Sequence, residues 1–330
     1  MPSHLIPRDR LQQLLAGAPK KRIAVVGDAM LDVYLRGDVD RISPEAPVPV
    51  VRVRERRYAL GGAANVAQNV AALGATAELV ATVGDDVSAK QLRDMLHAIG
   101  GSTRGLVQVD RPTTTKTRVL ARAQQLVRVD EEVDDDCTPE EVAKITAAVT
   151  IAVNESDALI LEDYNKGVLV ESVIRHAIAL AKARGIPIVV DPKYRNFFAY
   201  GGATVFKPNR RELEAALGAA VSLEHPETLP ALVERLDVSS VLLTLSEHGM
   251  ALLERGTAAI HQIPTTAREV YDVVGAGDTV TAYLAAMLAS GATALEAAVI
   301  ANFAAGIEVG KLGAATVTPD EVLAAHASFV

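Results

Sequence analysis

One pattern limits what this chain can fold into. Short runs of aliphatic, often β-branched residues recur through most of its length, and segments of helical period separate them. Residues 22–26, 78–83, 158–161, 187–190, 205–206 and 241–245 read as buried strands. Residues 63–73, 87–99, 170–184 and 209–217 carry apolar side chains at helical spacing. Alternation of this kind needs crossover connections, which give a largely parallel sheet covered on both faces. Chemistry in such folds gathers at the carboxyl ends of the strands.

Two segments break the alternation. Residues 48–58 (VPVVRVRERRY) and 115–130 (TKTRVLARAQQLVRVD) repeat with period two, and no helix follows either at once. They read as antiparallel strands with one wet face. They are expected to pair with each other as a small β-lid, residues 41–58 and 112–130, inserted in a single domain of residues 1–330. Pro44, Pro47 and Pro49 would stiffen its entry. The acidic run 130–136 lacks the glycine turn and closing glutamate of a calcium loop, so it reads as a solvated linker. Thr138-Pro139-Glu140-Glu141 then opens a helix, with Thr138 as N-cap and Glu141 closing a capping box.

Composition narrows the function. Across 330 residues, 33 Lys and Arg stand against 41 Asp and Glu, a formal net charge of −8, which disfavours a nucleic-acid partner. Hydrophobic residues make up 49%, enough for a substantial core. A single cysteine, Cys137, excludes an internal disulfide framework and a four-thiolate metal site, and fits a reducing compartment. Arg8, Asp9 and Arg10 stand where a secretory signal needs an apolar core, and no apolar run reaches membrane-spanning length. A cytoplasmic protein without membrane contact is expected. The seven histidines show no zinc spacing, and no G-x-S-x-G occurs.

The most informative stretch is Asp272-Val273-Val274-Gly275-Ala276-Gly277-Asp278-Thr279. Two glycines before a long small-residue helix let backbone N–H groups converge at its positive end, a cradle for phosphate. Asp278 reads either as a charge partner of that helix end or as a base that takes a proton from an attacking hydroxyl. The segment is not a P-loop, since GIEVGK at 306–311 is one residue short and is followed by Leu312. Nor does the first strand end in a dinucleotide G-x-G.

Further candidates each have a structural alternative. Gly61-Gly62 before Asn65 is either a tight turn or a place where backbone approaches a polar ligand, with the Asn65 amide on a hydroxyl. Asp28 and Asp32, past the first strand, suit sugar hydroxyls, although Asp28 also fits a turn. Asn209 and Glu212 form either a capping box or the amide and carboxylate that a hydrated Mg²⁺ needs.

Jointly, Gly61-Gly62 with Asn65, Asn209-x-x-Glu212 and Asp272-x-x-Gly275-Ala276-Gly277-Asp278-Thr279 resemble the signatures of the ribokinase (PfkB) family of carbohydrate kinases, and the resemblance runs over essentially the whole chain. It implies a ribokinase-like three-layer α/β/α fold with a mainly parallel sheet and the inserted β-lid. Within the family, Gly27-Asp28-x-Met30-Leu31-Asp32-x-Tyr34, the 43–50 run SPEAPVPV, Lys116-Thr117-Arg118, Gln124-Gln125-Leu126-x-Arg128-x-Asp130, Asp163-Tyr164-x-Lys166-Gly167 and Asp191-Pro192-Lys193 resemble the D-glycero-β-D-manno-heptose 7-phosphate kinases of lipopolysaccharide core and ADP-heptose biosynthesis.

The resemblance implies transfer of the ATP γ-phosphoryl to an anomeric hydroxyl, giving heptose 1,7-bisphosphate. Asp278 would be the base, with N–H groups of Gly275, Ala276 and Gly277 on the transferring phosphoryl. Asn209 and Glu212 would organise Mg²⁺ through water, and Thr244, Ser246, Gly249 and Asn302 would border the nucleotide. Asp28, Asp32, Gly61, Gly62, Asn65, Lys116, Arg118, Arg122, Asp163, Lys166 and Lys193 would line the sugar side. Of these, Lys166, Lys193, Arg118 and Arg122 are the candidates for the substrate phosphate.

No H-x-G-H motif of a fused nucleotidylyltransferase domain occurs, so the kinase alone is expected, as a homodimer through the lid. Two alternatives remain open. One is another sugar kinase of the family, for fructose, ribose or an ADP-sugar precursor; the other is a non-catalytic sugar-phosphate sensor, which the presence of Asp278 disfavours.

Overall fold

The computed structural model describes residues 6–122, 124–221, 228–257 and 259–328. Ala123, inside the 115–130 run, lies outside the described residues. The strands, in chain order, are β1 (Arg22–Gly27), β2 (Ala29–Ile42), β3 (Pro49–Gly62), β4 (Thr76–Val83), β5 (Ser102–Gln108), β6 (Thr115–Ala121), β7 (Gln124–Glu131), β8 (Ala158–Glu162), β9 (Ile188–Asp191), β10 (Val205–Phe206), β11 (Ser240–Thr244), β12 (Met250–Glu254) and β13 (Ile260–Ile263). Nine of them form the main sheet, in the order β13-β12-β11-β10-β9-β8-β1-β4-β5. Pairing is parallel from β5 across to β11, and the last two strands turn antiparallel at one edge.

Helices cover both faces of this sheet because its central strands are apolar on both sides. Ile23 and Val25 of β1 pack with helices Ala63–Ala72, Ala276–Ala289 and Ala294–Glu308, while Ala24 and Val26 join helices Pro139–Asn154 and Glu171–Arg184. The capping box at Thr138 and Glu141 forms as its sequence predicts. The result is a three-layer α/β/α arrangement with a mainly parallel sheet in the middle. Among the described residues, no helix is long and apolar enough to cross a membrane.

A second sheet of four strands, in the order β3-β2-β6-β7, rises from the carboxyl edge of the first. Its composition differs from the expected pairing of 48–58 with 115–130. The 115–130 run is itself a hairpin, β6 and β7, and β2 stands between β6 and β3. The reason is that β2 begins at Ala29, directly after β1, and carries the chain into the lid with no helix between. Asp38, Asp40 and Gly37 blur its alternation, so it does not read as a strand.

Candidate active site

A cleft of about 550 Å³ opens at the carboxyl ends of the parallel strands, lined from β8 to β11 and by the two long helices behind them. Gly275 is the N-cap of helix Ala276–Ala289 and takes a φ of 101°, which a side chain would strain. The first-turn N–H groups of that helix have no intrahelical partner, so they and the positive helix end face the cleft. Gly62, at φ 55°, makes the equivalent turn into helix Ala63–Ala72, where a Cβ would lie 2.4 Å from the Asp28 carbonyl. That turn brings Asn65 underneath the cradle.

Asp278 is buried in the first turn of the cradle helix. Its Oδ2 accepts a hydrogen bond from Asn65 Nδ2 at 2.7 Å, and its Oδ1 accepts one from the Tyr164 hydroxyl at 2.9 Å. Burial pushes its carboxyl up to about 6, although both hydrogen bonds favour the ionised form. A carboxylate so held is ionised near neutral pH and still able to accept a proton.

Beside it, Lys207 is buried with its Nζ 2.8 Å from Asp191 Oδ2, and a Cβ on Gly277 would stand 3.7 Å from that ammonium. A fixed positive charge therefore adjoins the cradle. Glu162, at the end of β8, completes a group of three buried carboxyls with Asp191 and Asp278, whose oxygens lie within 4.8 Å of one another. Burial, with the neighbouring Asp191 and Asp278 charges, drives Glu162 well above its usual range.

Other expected residues line the same cleft: Lys193, Asn209, Glu212, Thr244, Ser246, Gly249, Gly275, Ala276, Gly277 and Asn302. Asn209 and Glu212 form the reciprocal capping box, at 2.9 Å each way, and the second Glu212 oxygen pairs with Lys193. Asn302 donates to the Pro264 carbonyl and so shapes the wall rather than offering its amide freely.

The remaining candidates fall elsewhere. Asp28 accepts the backbone N–H groups of Tyr164, Lys166 and Val168, so its carboxylate is the tie of that loop and not a free sugar ligand. Asp163 is likewise taken up, by the Asn165 N–H and the Tyr200 hydroxyl. Arg122 occupies the exposed turn between β6 and β7, at the far end of the lid, where its alternation phase with Arg118 does not carry it to the cleft. Lys116 and Lys166 share Glu132 at the lid's root, and Arg118 pairs with Asp32 at 2.5 Å. Gly61 lies beneath Asp32, where a Cβ would come within 2.9 Å of its carboxylate. Tyr164 and Lys207 received no role from the sequence. Their one signal was position, since each closely follows a strand end.

A cradle of N–H groups facing a buried carboxylate and a buried lysine suits one kind of chemistry, transfer of a phosphoryl group to a hydroxyl. Fold and site together are those of an α/β phosphotransferase. A family model described as pfkB family carbohydrate kinase matches residues 20–321, and the chain belongs to that family of ATP-dependent sugar kinases. It is 46% identical over 305 residues to the bifunctional protein HldE of Gluconacetobacter diazotrophicus, covering 92% of this chain and 63% of that one. The HldE of Azorhizobium caulinodans is 48% identical over 316 residues, covering 94% and 66%. The chain thus spans about two thirds of the length of these relatives.

Among solved structures, Arabidopsis thaliana ribokinase complexed with ribose and ATP superposes with a TM-score of 0.72 at 21% identity, covering 93% of this chain and 98% of the other. The tetrameric inhibited form of Escherichia coli phosphofructokinase-2 gives 0.75 at 19%, with the same coverage. Both share the fold.

Proposed function

We propose that this sugar kinase phosphorylates D-glycero-β-D-manno-heptose 7-phosphate at its anomeric hydroxyl, forming the 1,7-bisphosphate. The kinase chemistry rests on one observation, the Asp278 carboxylate held by Asn65 and Tyr164 against the glycine-opened helix end. The choice of sugar is supported by the Asp28 to Tyr34, Lys116 to Arg118 and Asp163 to Gly167 motifs and by the similarity to HldE proteins.

In this reading Asp278 accepts the proton of the attacking hydroxyl as the oxygen bonds to the γ-phosphorus and ADP departs. The N–H groups of Gly275, Ala276 and Gly277, with the Lys207 ammonium, offset charge on the transferring phosphoryl. Thr244, Ser246 and Gly249 border the nucleotide. Mg²⁺, when bound, would neutralise phosphate charge, and Asn209 and Glu212 would hold it through water. The donor set fits, because Glu212 keeps lone pairs beyond those given to the Asn209 N–H and to Lys193.

The lid supports a homodimer. One of its faces carries Val53, Val127 and Val129, all between 45% and 50% exposed, and both its edge strands, β3 and β7, are open. A cytoplasmic location follows from the substrates rather than from the fold.

The test of the substrate is an ADP-release assay over a panel of free and phosphorylated sugars. The heptose 7-phosphate should give the highest kcat/KM by at least about 10-fold. Faster turnover of fructose, ribose or a free heptose would assign the chain to a different substrate, and no turnover of any sugar would favour a sensor.

A further inference from the structure

The phosphate carried by such a substrate must be met somewhere in a protein of net charge −8. Two of the four cations that the sequence offers are ill placed for it, because Lys193 is paired with Glu212 on the nucleotide side and Arg122 sits at the lid's far turn. The register of the lid brings forward others. Arg57 of β3, Tyr34 of β2, Arg118 of β6 and Arg128 of β7 stand opposite one another in a single cross-strand row, and partners in register share a face. The neighbouring row, Ala59, Asp32, Lys116 and Asp130, lies two residues nearer the cleft on that same face.

This face lies within electrostatic reach of the cradle loop. The Tyr34 hydroxyl lies within electrostatic reach of Arg118, Asp32, Arg57 and also Asp272, which opens the cradle loop on the opposite wall. Asp272 itself turns its oxygens to the N–H groups of Val274 and Gly313. The Arg118 guanidinium lies over the Tyr34 ring, 5.3 Å from its centroid. Arg57 forms no ion pair among the described residues.

Charge on this face does not balance. Arg57, Lys116, Arg118, Arg128 and Lys166 face Asp32, Asp130 and Glu132, which leaves two positive charges in excess. Farther out, Arg36 and Glu55 stand opposite each other and cancel. An excess of two is the charge of a phosphate monoester near neutral pH. Arg57 and Arg118 flank Tyr34 with their Cα atoms about 10 Å apart, two strand spacings, which two guanidinium arms can close around one phosphate.

We propose that the Arg57-Tyr34-Arg118 row, flanked by Arg128, is the subsite for the substrate's own phosphate group. Arg57 is its free arm and Arg118 its second, which couples the phosphate to the Asp32 carboxylate through the existing ion pair. The proposal rests on the reading of the substrate as a sugar phosphate.

The test compares D-glycero-D-manno-heptose 7-phosphate with the unphosphorylated heptose in wild type, Arg57→Gln and Arg57→Lys, full chain throughout. Arg57 is exposed on the lid, so both variants should fold. Arg57→Gln should raise KM for the phosphorylated sugar about 10-fold or more, as expected for loss of a charge-assisted contact. It should leave kcat/KM for the free heptose and KM for ATP within about 2-fold, and Arg57→Lys should recover much of the loss. If the wild type prefers the phosphorylated sugar and Arg57→Gln keeps that preference, the subsite is overturned while the substrate reading stands. A loss equal for both sugars overturns it as well. A wild type with no preference for the phosphorylated sugar overturns the substrate reading, and the subsite with it.

Discussion

Asp278 has both carboxylate oxygens occupied by donors from two different elements, Asn65 from a helix and Tyr164 from a loop. An incoming hydroxyl must therefore use a remaining lone pair, and the geometry of the base depends on its donors. Asp278→Asn should keep ATP binding and lower kcat by about 100-fold or more, because the amide cannot accept the proton. Burial holds the carboxyl at about 6, so activity should fall as pH drops through that value. Tyr164→Phe removes a donor that favours the ionised form, so the acid limb of kcat should move to higher pH with KM for ATP unchanged. A pH profile identical to wild type would show that Tyr164 does not act on the base. The Gly275 to Asp278 cradle was legible in the sequence because glycine spacing at a helix start has few other uses. Asp28 was not, since the same carboxylate at a strand end serves a ligand or three backbone N–H groups equally well, and only the loop's position decides.

At the level of elements, the alternating strands and helices of the main domain were legible because each buried strand is a continuous apolar run. The lid was legible only in part. Its strands are read by alternation, and Gly37 with the bulge at Asp40 interrupts that pattern in β2, so the strand in the middle was the one missed. The finished lid has two unlike faces, arginines and carboxylates on one and valines on the other. A four-stranded sheet that exposes valines and two open edges gains by covering them. A Val127→Lys, Val129→Lys double variant should run as a monomer in light scattering at micromolar concentration, against a dimeric wild type, because burying two ammonium groups opposes the contact. A wild type that is already monomeric would rule out the lid as a dimer face.

For the molecule as a whole, the pH that the base requires and the pH at which the fold is most stable pull apart. Burial raises several carboxyls above their ordinary values, Glu162 and Asp163 among them, with Asp28 and Asp278 at about 6 and Glu308 at about 8. Such groups bind protons more tightly folded than unfolded. Their contribution to stability is full below about pH 4 and is lost as pH rises through about 6 for Asp28 and Asp278 and about 8 for Glu308. Carboxylates held below their usual range by hydrogen bonds and basic partners, among them Asp86, Asp130, Glu132, Glu141 and Glu296, act in the opposite sense and are lost in acid. The two trends leave a maximum between about pH 4 and 6, below the range in which Asp278 is ionised. Calorimetry without ligands should therefore give a higher Tm at pH 5.5 than at pH 8. Glu308→Gln, which mimics the neutral acid, should raise Tm at pH 8 and flatten the decline between pH 6 and 8. A Tm that climbs steadily from pH 5.5 to 8 would mean that these buried acids are solvated or paired in solution, and the acid limb predicted for Asp278 would then lie well below 6 too.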